Sequence, residues 1–225
     1  FIDMFLLRVN ANTLQPIGGP VVYSNGVDLA EEIIRTADNH LLLAGSSFSG
    51  NIFDPNAMIV NRLLAIKTDE NGAVLWQYAY QDSFPAQYGL ALAAGIEQNP
   101  VSGNFMFCGT TYGGTPDLHE DAIYMLIGND GALLDTALLQ TPVRQRLYGM
   151  TDYSEFPGLY ISVGDSDNPV LGTPNLFFTQ ALEAGGIIAQ VTLANDPASP
   201  YSISDVIEIG QNRLAYLATI PDNFA

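Results

Sequence analysis

The stretch LLLAGSS at residues 41–47 decides the fold, because the chain repeats it. Three later segments follow the same pattern of an apolar strand that ends in small and polar residues: FMFCGTT at 105–111, LYISVGDS at 159–166 and LAYLAT at 214–219. The last copy has Ala218 where the others have glycine. Copies about 55–65 residues apart are typical of repeat proteins, in which each supersecondary unit buries its apolar face against the next unit.

A second repeated element follows each of the first three copies and ends in a tight turn. RLLAIKTD at 62–69 leads to Asn71-Gly72, AIYMLI at 122–127 to Asp130-Gly131, LFFTQAL at 176–182 to Gly185-Gly186, and the earlier MFLLRV at 4–9 to Asn10 without a glycine. The glycines allow the positive φ angles that two-residue hairpin turns need. Each segment is therefore predicted to form an antiparallel hairpin with the segment after its turn.

A third apolar segment precedes each glycine-containing segment, at 30–37, 88–97, 148–153 and 202–209. Each unit is thus predicted to hold four short strands. The strands are apolar on both faces: Leu63 and Ala65 point one way, and Leu64 and Ile66 the other. A strand with two buried faces suits a sheet stacked between similar sheets, as in a propeller. The sequence therefore predicts an all-β fold, a β-propeller of four-stranded antiparallel blades with four repeat units.

The segment from His40 to Tyr80 carries a family resemblance. A strand with Ala-Gly-Ser-Ser, a loop, a strand that ends in Lys-Thr-Asp, then Asn-Gly and Val-Leu-Trp, resembles the repeats of secreted bacterial β-propellers. It is similar to the family found in surface proteins exported by the type IX system, and weaker copies extend the resemblance over nearly the whole chain. The resemblance implies an extracellular or bacterial cell-surface location. Its motifs are structural and speak for fold, not for function.

In Kelch-like propellers the segment before the glycine strand is the innermost strand of each blade, and this resemblance indicates where each blade begins and ends. By that resemblance, whole blades lie at 28–84, 86–141 and 145–193, with half blades at 1–24 and 202–220. Residues 1–225 are then one propeller domain or a fragment of one. The half blades either close a four-bladed ring or are the ends of a six- to eight-bladed ring, and the width of the units favours the larger ring.

The charge balance is strongly acidic. The chain has 24 Asp and Glu against seven Lys and Arg, a formal net charge of −17. Because this charge repels phosphate backbones and anionic lipid surfaces, we expect no nucleic-acid binding. With no apolar run of about 20 residues, we also expect no membrane insertion. Acidic residues promote solubility, and they leave Ca²⁺ or cationic partners as an alternative.

The sequence shows no catalytic machinery, and we expect neither enzymatic activity nor a cofactor. Cys108 lies in an apolar strand and is predicted to be a buried core thiol. The run Asp165-Ser166-Asp167-Asn168 alternates oxygen ligands as calcium loops do, but it lacks their glycine and distal glutamate, so Ca²⁺ stays an alternative. His119 lies among three carboxylates, in either a cation-binding or a plain polar loop.

We expect a non-enzymatic module that serves assembly, adhesion or protein binding, with other subunits or copies of itself as partners. Only 14% of the residues are charged, whereas soluble surfaces are usually about 25–35% charged. The long loop between Gly45 and Arg62 carries the predicted interaction residues: Phe48, Ile52, Phe53, Met58 and Ile59. This loop either contacts a partner or folds over its own blade.

An alternative function is the propeller domain of a secreted hydrolase that acts on polysaccharide, or of a glycan-binding protein. It would need a funnel of aromatic and acidic loop side chains. Tyr112, His119 and Tyr153 are the residues that the sequence places for such a funnel.

Overall fold

The structure is a computed structural model, and it describes residues 3–23, 27–49, 60–80, 90–112, 120–139, 141–167, 174–184, 186–193, 202–210 and 213–219. Every regular element in these residues is a β-strand, which confirms the all-β prediction. In the same residues no helix is long and apolar enough to cross a membrane.

The strands, in chain order, are β1 (Met4–Leu6), β2 (Val21–Tyr23), β3 (Val27–Arg35), β4 (Leu41–Ser49), β5 (Val60–Thr68), β6 (Val74–Tyr80), β7 (Leu90–Gln98), β8 (Phe105–Tyr112), β9 (Glu120–Ile127), β10 (Leu133–Leu139), β11 (Gln145–Asp152), β12 (Leu159–Ser166), β13 (Asn175–Leu182), β14 (Gly186–Leu193), β15 (Ser202–Glu208) and β16 (Leu214–Thr219).

Each strand pairs antiparallel with its neighbour in sequence, which gives three four-stranded sheets. The first sheet is β3–β6, the second β7–β10 and the third β11–β14. A leading half-sheet, β1–β2, and a trailing half-sheet, β15–β16, have two strands each. The predicted four-stranded antiparallel unit is therefore confirmed. Among the described residues, β1 pairs only with β2 and β16 only with β15, so these strands do not join into a closed ring.

The tight turns between third and fourth strands have the predicted backbone conformation. Gly72 and Gly131 have φ angles of 91° and 86°. The Asp69 carboxylate also accepts hydrogen bonds from the backbone N–H groups of Asn71 and Ala73, both at 2.8 Å. Asn10, in the copy without a glycine, accepts the corresponding bond from the N–H of the second residue after it, at 2.9 Å. A side-chain oxygen thus closes the turn in both copies.

A β-bulge interrupts the first strand of each four-stranded sheet and of the trailing half-sheet at the same place. The pairing register shifts at residues Glu31, Ala94, Tyr148 and Ser204. The repeat glycine lies directly opposite the residue before the bulge, as Gly45 does for Ala30 and Gly164 for Leu147. A Cβ atom on Gly164 would overlap the backbone carbonyl of Arg146. The glycine therefore recurs because the bulged strand approaches its neighbour too closely for a side chain.

The sheets stack face to face, and the core lies between them. β9 is buried over its whole length. Ile123 and Met125 belong to the core cluster shared with the first sheet, whereas Tyr124 belongs to the one shared with the third. Cys108 is 1% exposed, which confirms the prediction of a core thiol. Burial raises its pKa to about 12, so the thiolate is disfavoured.

Gly164→Ala should destabilise the fold, because the new methyl group meets the Arg146 carbonyl in a strand that is buried on both sides. We expect a loss of about 1–3 kcal/mol in the free energy of unfolding, which is typical of overpacked sites. For a chain of this size each kcal/mol lowers the melting temperature by about 2–4 °C. The control is Gly19→Ala, where an added Cβ meets nothing within 4 Å. Equal melting temperatures for the two variants, measured by circular dichroism, would contradict the close approach.

Candidate interaction surfaces

The leading half-sheet buries one face and exposes the other. Met4 packs against the first sheet and is 2% exposed. The next side chain, Phe5, points the opposite way and is 60% exposed. Phe5 occupies the position that Leu64 has in the first sheet, because Met4 pairs with Tyr23 as Leu63 pairs with Tyr80. Leu64 is fully buried, so the leading half-sheet has the sequence of an interior sheet with one side uncovered.

The trailing half-sheet also has one buried and one exposed face, and its exposed face lies at the opposite end of the stack. Ile203 and Val206 pack on the third sheet and are buried. Ile207 and Leu217, on the other face, are 56% and 65% exposed. A sheet stacked on this face would bury both side chains.

In the described residues each half-sheet has only two strands, and these cover half of the neighbouring sheet. A groove of about 190 Å³ lies over β13 and β14 of the third sheet, with Phe178 and Val191 in its lining. A second groove of about 410 Å³ runs between β1 and the first sheet, with Leu7, Ile33 and Leu43 in its lining. We call the exposed apolar side chains at one end the leading end face, and those at the other end the trailing end face. The leading end face is Phe5, Leu7, Val22 and Ile33; the trailing end face is Val191, Leu193, Ile207 and Leu217.

A cavity of about 260 Å³ lies where the first strands of the three sheets and of the trailing half-sheet meet. The four bulge residues Glu31, Ala94, Tyr148 and Ser204 line it, together with Glu32 and Asp205. Burial raises the pKa of Glu31 and of Glu32. Glu32 also accepts a hydrogen bond of 2.7 Å from the backbone N–H of Ile96 in the second sheet. The cavity is therefore acidic, and the Glu31 and Glu32 carboxyls hold their protons more tightly than exposed ones do.

Glu97 on β7 belongs to the same group of carboxyls. Burial, and after it the charges of Asp152 and Glu32, raises its pKa from 4.5 to about 7. A carboxyl with this pKa changes its charge in the neutral range, so the electrostatics of this part of the stack depend on pH.

A network of ion pairs joins the second and third sheets. The Glu120 carboxylate at the start of β9 is bound by both Nε and Nη2 of Arg146 on β11, the latter at 2.7 Å. Arg144 lies 3.7 Å from the same carboxylate and pairs with Asp167 at 2.7 Å. Two-pronged arginine–carboxylate pairs fix orientation as well as distance. The network therefore positions one sheet on the next.

The oxygen ligands of the predicted calcium run take part in contacts within the protein. The Asp165 carboxylate accepts a hydrogen bond of 2.7 Å from the Tyr148 hydroxyl, and Asp167 pairs with Arg144. Asn168 lies outside the described residues. In the part of the chain that the structure describes, no three His, Cys, Asp or Glu side chains are grouped to hold a metal ion. The Ca²⁺ alternative stays a prediction.

The structure tests little of the predicted interaction loop. Phe48 lies near the end of β4 and is half-buried. Ile52, Phe53, Met58 and Ile59 lie outside the described residues, so their role as interaction residues stays a prediction. The sequence did not single out the residues of the end faces, although a signal was present: the first and last repeat units are incomplete, yet they keep the apolar pattern of the complete units.

The residues of the predicted glycan funnel are not seen together. Tyr153 is 7% exposed and stacks on Phe156 with ring centroids 5.6 Å apart. Tyr112 ends β8, and His119 lies outside the described residues.

Comparison with known proteins gives a structural similarity and no family. No protein-family model matches the sequence, and no curated protein matches it. The chain is similar to the crystal structure of a protein of unknown function from Bacteroides caccae, with a TM-score of 0.51 and 13% sequence identity. The match covers 90% of this chain and 57% of the other, so this chain spans less than two thirds of that structure. At this identity the similarity concerns the fold alone.

Glu97→Gln should stabilise the protein above neutral pH. The folded state holds the Glu97 proton up to about pH 7, whereas the unfolded chain releases it near pH 4.5. Stability therefore falls as pH rises between these values, and the full penalty remains above pH 7. At pH 8 we expect the free energy of unfolding of the variant to exceed that of the wild type by about 1–2 kcal/mol after solvent screening, so its melting temperature should be higher. At pH 4 the two proteins should have the same stability. Glu70→Gln, in the exposed β5–β6 turn, is the control. A Glu97 variant no more stable than the wild type at pH 8 would contradict the buried carboxyl.

Proposed function

We propose that this chain is an arc of β-propeller blades and that it serves as a non-enzymatic assembly module, outside the cell or on the bacterial surface. The stacked four-stranded sheets support the propeller, as does the meeting of their first strands at one cavity. The resemblance of residues 40–80 to secreted propeller repeats supports the location. The partners of the module are protein surfaces.

The observation that carries the assembly function is the character of the two end faces. Phe5 and Leu7 of the leading end face and Leu217 of the trailing end face are exposed by 43–65%, whereas the residues at the equivalent positions of the first sheet are buried. Each end face also lies beside a strand whose outer edge is unpaired among the described residues. Exposed edges and contiguous apolar faces mark sites of association with other protein chains. Covering one large apolar side chain contributes about 1.5–3 kcal/mol.

The charged clusters support a structural role over a catalytic one. The Glu120–Arg146 pair joins the second sheet to the third. Lys67 in the first sheet donates a hydrogen bond to Asn129 in the second. These charged and polar side chains make contacts between neighbouring sheets, as expected of a structural protein.

The native protein should associate at micromolar concentration, with a mass above the 24.2 kDa of one chain in light scattering. The double variant Ile207→Ser/Leu217→Ser should reduce this mass, because it removes apolar surface from the trailing end face. Val101→Ser is the matched control, since Val101 is 78% exposed in the β7–β8 turn, away from both end faces. Circular dichroism verifies that each variant is folded. A native protein that is a clean monomer, or a double variant that associates as the wild type does, would refute the assembly function.

A further inference from the structure

We propose that the contact between β7 of the second sheet and β11 of the third is a pH-sensitive joint, which opens locally when Glu97 loses its proton while the rest of the chain stays folded. We call this contact the inner joint. It is independent of the assembly function above and lies between two complete sheets. Three features carry the proposal: close packing at a glycine, a group of carboxyls around it and a buried thiol beneath it.

The inner joint is formed by direct packing of the two first strands. Gly95 directly follows the bulge of β7. A Cβ atom on Gly95 would lie 3.0 Å from both the backbone nitrogen and the Cβ atom of Met150 on β11. The strands therefore approach as closely as a glycine allows. Because dispersion attraction falls steeply with distance, a separation of about 1 Å removes much of this contact.

Carboxyl groups from four first strands surround the inner joint. The hydrogen bond of 2.7 Å that Glu32 accepts from the N–H of Ile96 places its carboxylate next to Gly95. On the other side, a Cβ atom on Gly149 of β11 would lie 2.7 Å from Oδ1 of Asp205, so this carboxylate lies over the glycine. The four carboxyls that act on one another here are Glu32 on β3, Glu97 on β7, Asp152 on β11 and Asp205 on β15.

Glu97 is the member of this group that titrates in the neutral range. It lies opposite Met106 and faces the third sheet. Burial raises its pKa, and the charges of Asp152, Glu32 and Asp205 raise it further, to about 7. When the inner joint opens, water reaches the carboxyl and weakens the repulsion, so the pKa returns toward 4.5. The closed joint therefore loses stability relative to the open one as pH rises from about 4.5 to 7, and the loss remains above pH 7.

The cations on the strands packed against β7 are engaged elsewhere. They are Lys67, which pairs with Asp38, Arg146, which binds Glu120, Arg35, which donates to Asn39, and Arg62, which points away from the second sheet because its neighbour Leu63 faces it. Glu31 and Glu208 are further acids on β3 and β15. Cys108 and Tyr160 also face Glu97, and burial raises the pKa of both, so they are neutral at these pH values. Protonation of Glu97 is therefore what relieves the repulsion.

Cys108 lies directly beneath the inner joint. A Cβ atom on Gly95 would lie 3.2 Å from its Sγ atom. The thiol is 1% exposed, in the core cluster shared by the second and third sheets. It is also the single cysteine of the chain. Opening of the inner joint therefore exposes one thiol, and the rate at which a reagent labels it reports the opening.

Thiol labelling as a function of pH tests the joint. The labelling rate of the native protein with dithiodipyridine is divided by the rate in concentrated urea at the same pH, which removes the pH dependence of the thiol itself. We expect this ratio to rise about fivefold to tenfold between pH 6 and pH 8 in the wild type. Glu97→Gln keeps the shape of the side chain but does not ionise, so its ratio should stay nearly constant. Glu70→Gln, in the exposed β5–β6 turn, is the matched control and should behave as the wild type does.

A second variant tests whether the carboxyls act together. Glu32→Gln removes one of the charges that raise the Glu97 pKa and keeps an acceptor for the Ile96 N–H. The rise in its labelling ratio should therefore move to lower pH. An unchanged midpoint would overturn the role of the carboxyl group around the joint.

Urea dependence separates opening of the joint from global unfolding. Opening one contact exposes little surface, so labelling of the native protein should change little at low urea concentrations, whereas labelling through global unfolding rises steeply. The proposal is overturned by a wild-type ratio that is independent of pH. It is also overturned by a Glu97→Gln variant with the pH dependence of the wild type, or by labelling that follows the global unfolding constant measured by circular dichroism.

Discussion

The stack depends on the close approach between the bulged first strand of a sheet and the glycine of its second strand. The residue after that glycine then makes the link to the next sheet. The Ser46 hydroxyl accepts a hydrogen bond from the backbone N–H of Ala93, and Thr110 accepts the corresponding bond from Leu147, at 3.3 and 3.2 Å. Ala93 and Leu147 are themselves the residues before the next bulge. In the first two sheets the bulge, the glycine and the hydroxyl that follows it therefore act together to dock the next sheet, which explains the Gly-Ser and Gly-Thr pairs at Gly45-Ser46 and Gly109-Thr110.

Side chains of the fourth strands also contact the next sheet. Tyr23 at the end of β2 donates its hydroxyl to the carbonyl of Gly72 in the turn of the first sheet, at 2.9 Å, and Tyr80 does the same to Gly131 of the second sheet at 2.7 Å. The second sheet has Leu139 at this position. Its contact with the third sheet is made instead by the Asn104 amide, which donates to the Glu183 carboxylate at 2.6 Å. A hydrogen bond thus joins these sheets as well, but it runs from an amide to a carboxylate and not from a tyrosine to a backbone carbonyl.

The sequence predicted those parts of the fold that local chemistry determines. The Asn-Gly and Asp-Gly turns required positive φ, and Gly72 and Gly131 have it. The strands with two apolar faces required cover on both sides, and β9 is buried throughout. The bulges left no such signal, because bulge residues as different as Glu31 and Ser204 share only the register shift around them. The residues of the end faces were identified only from the structure, since exposure of Phe5 depends on how many strands lie beside it and not on its own sequence.

The ends of the stack differ from those of repeat proteins that end in solvent. Such proteins replace the outer apolar face of the terminal unit with polar residues, because an interior sequence at an end would leave apolar surface in water. Here the leading half-sheet keeps Phe5 and Leu7 at the positions where the first sheet has Leu64 and Ile66, both fully buried. A solvent-facing end would gain solubility from a charged residue at either position. Apolar residues at both positions are expected if the leading end face is covered when the protein works, which agrees with the proposed assembly function.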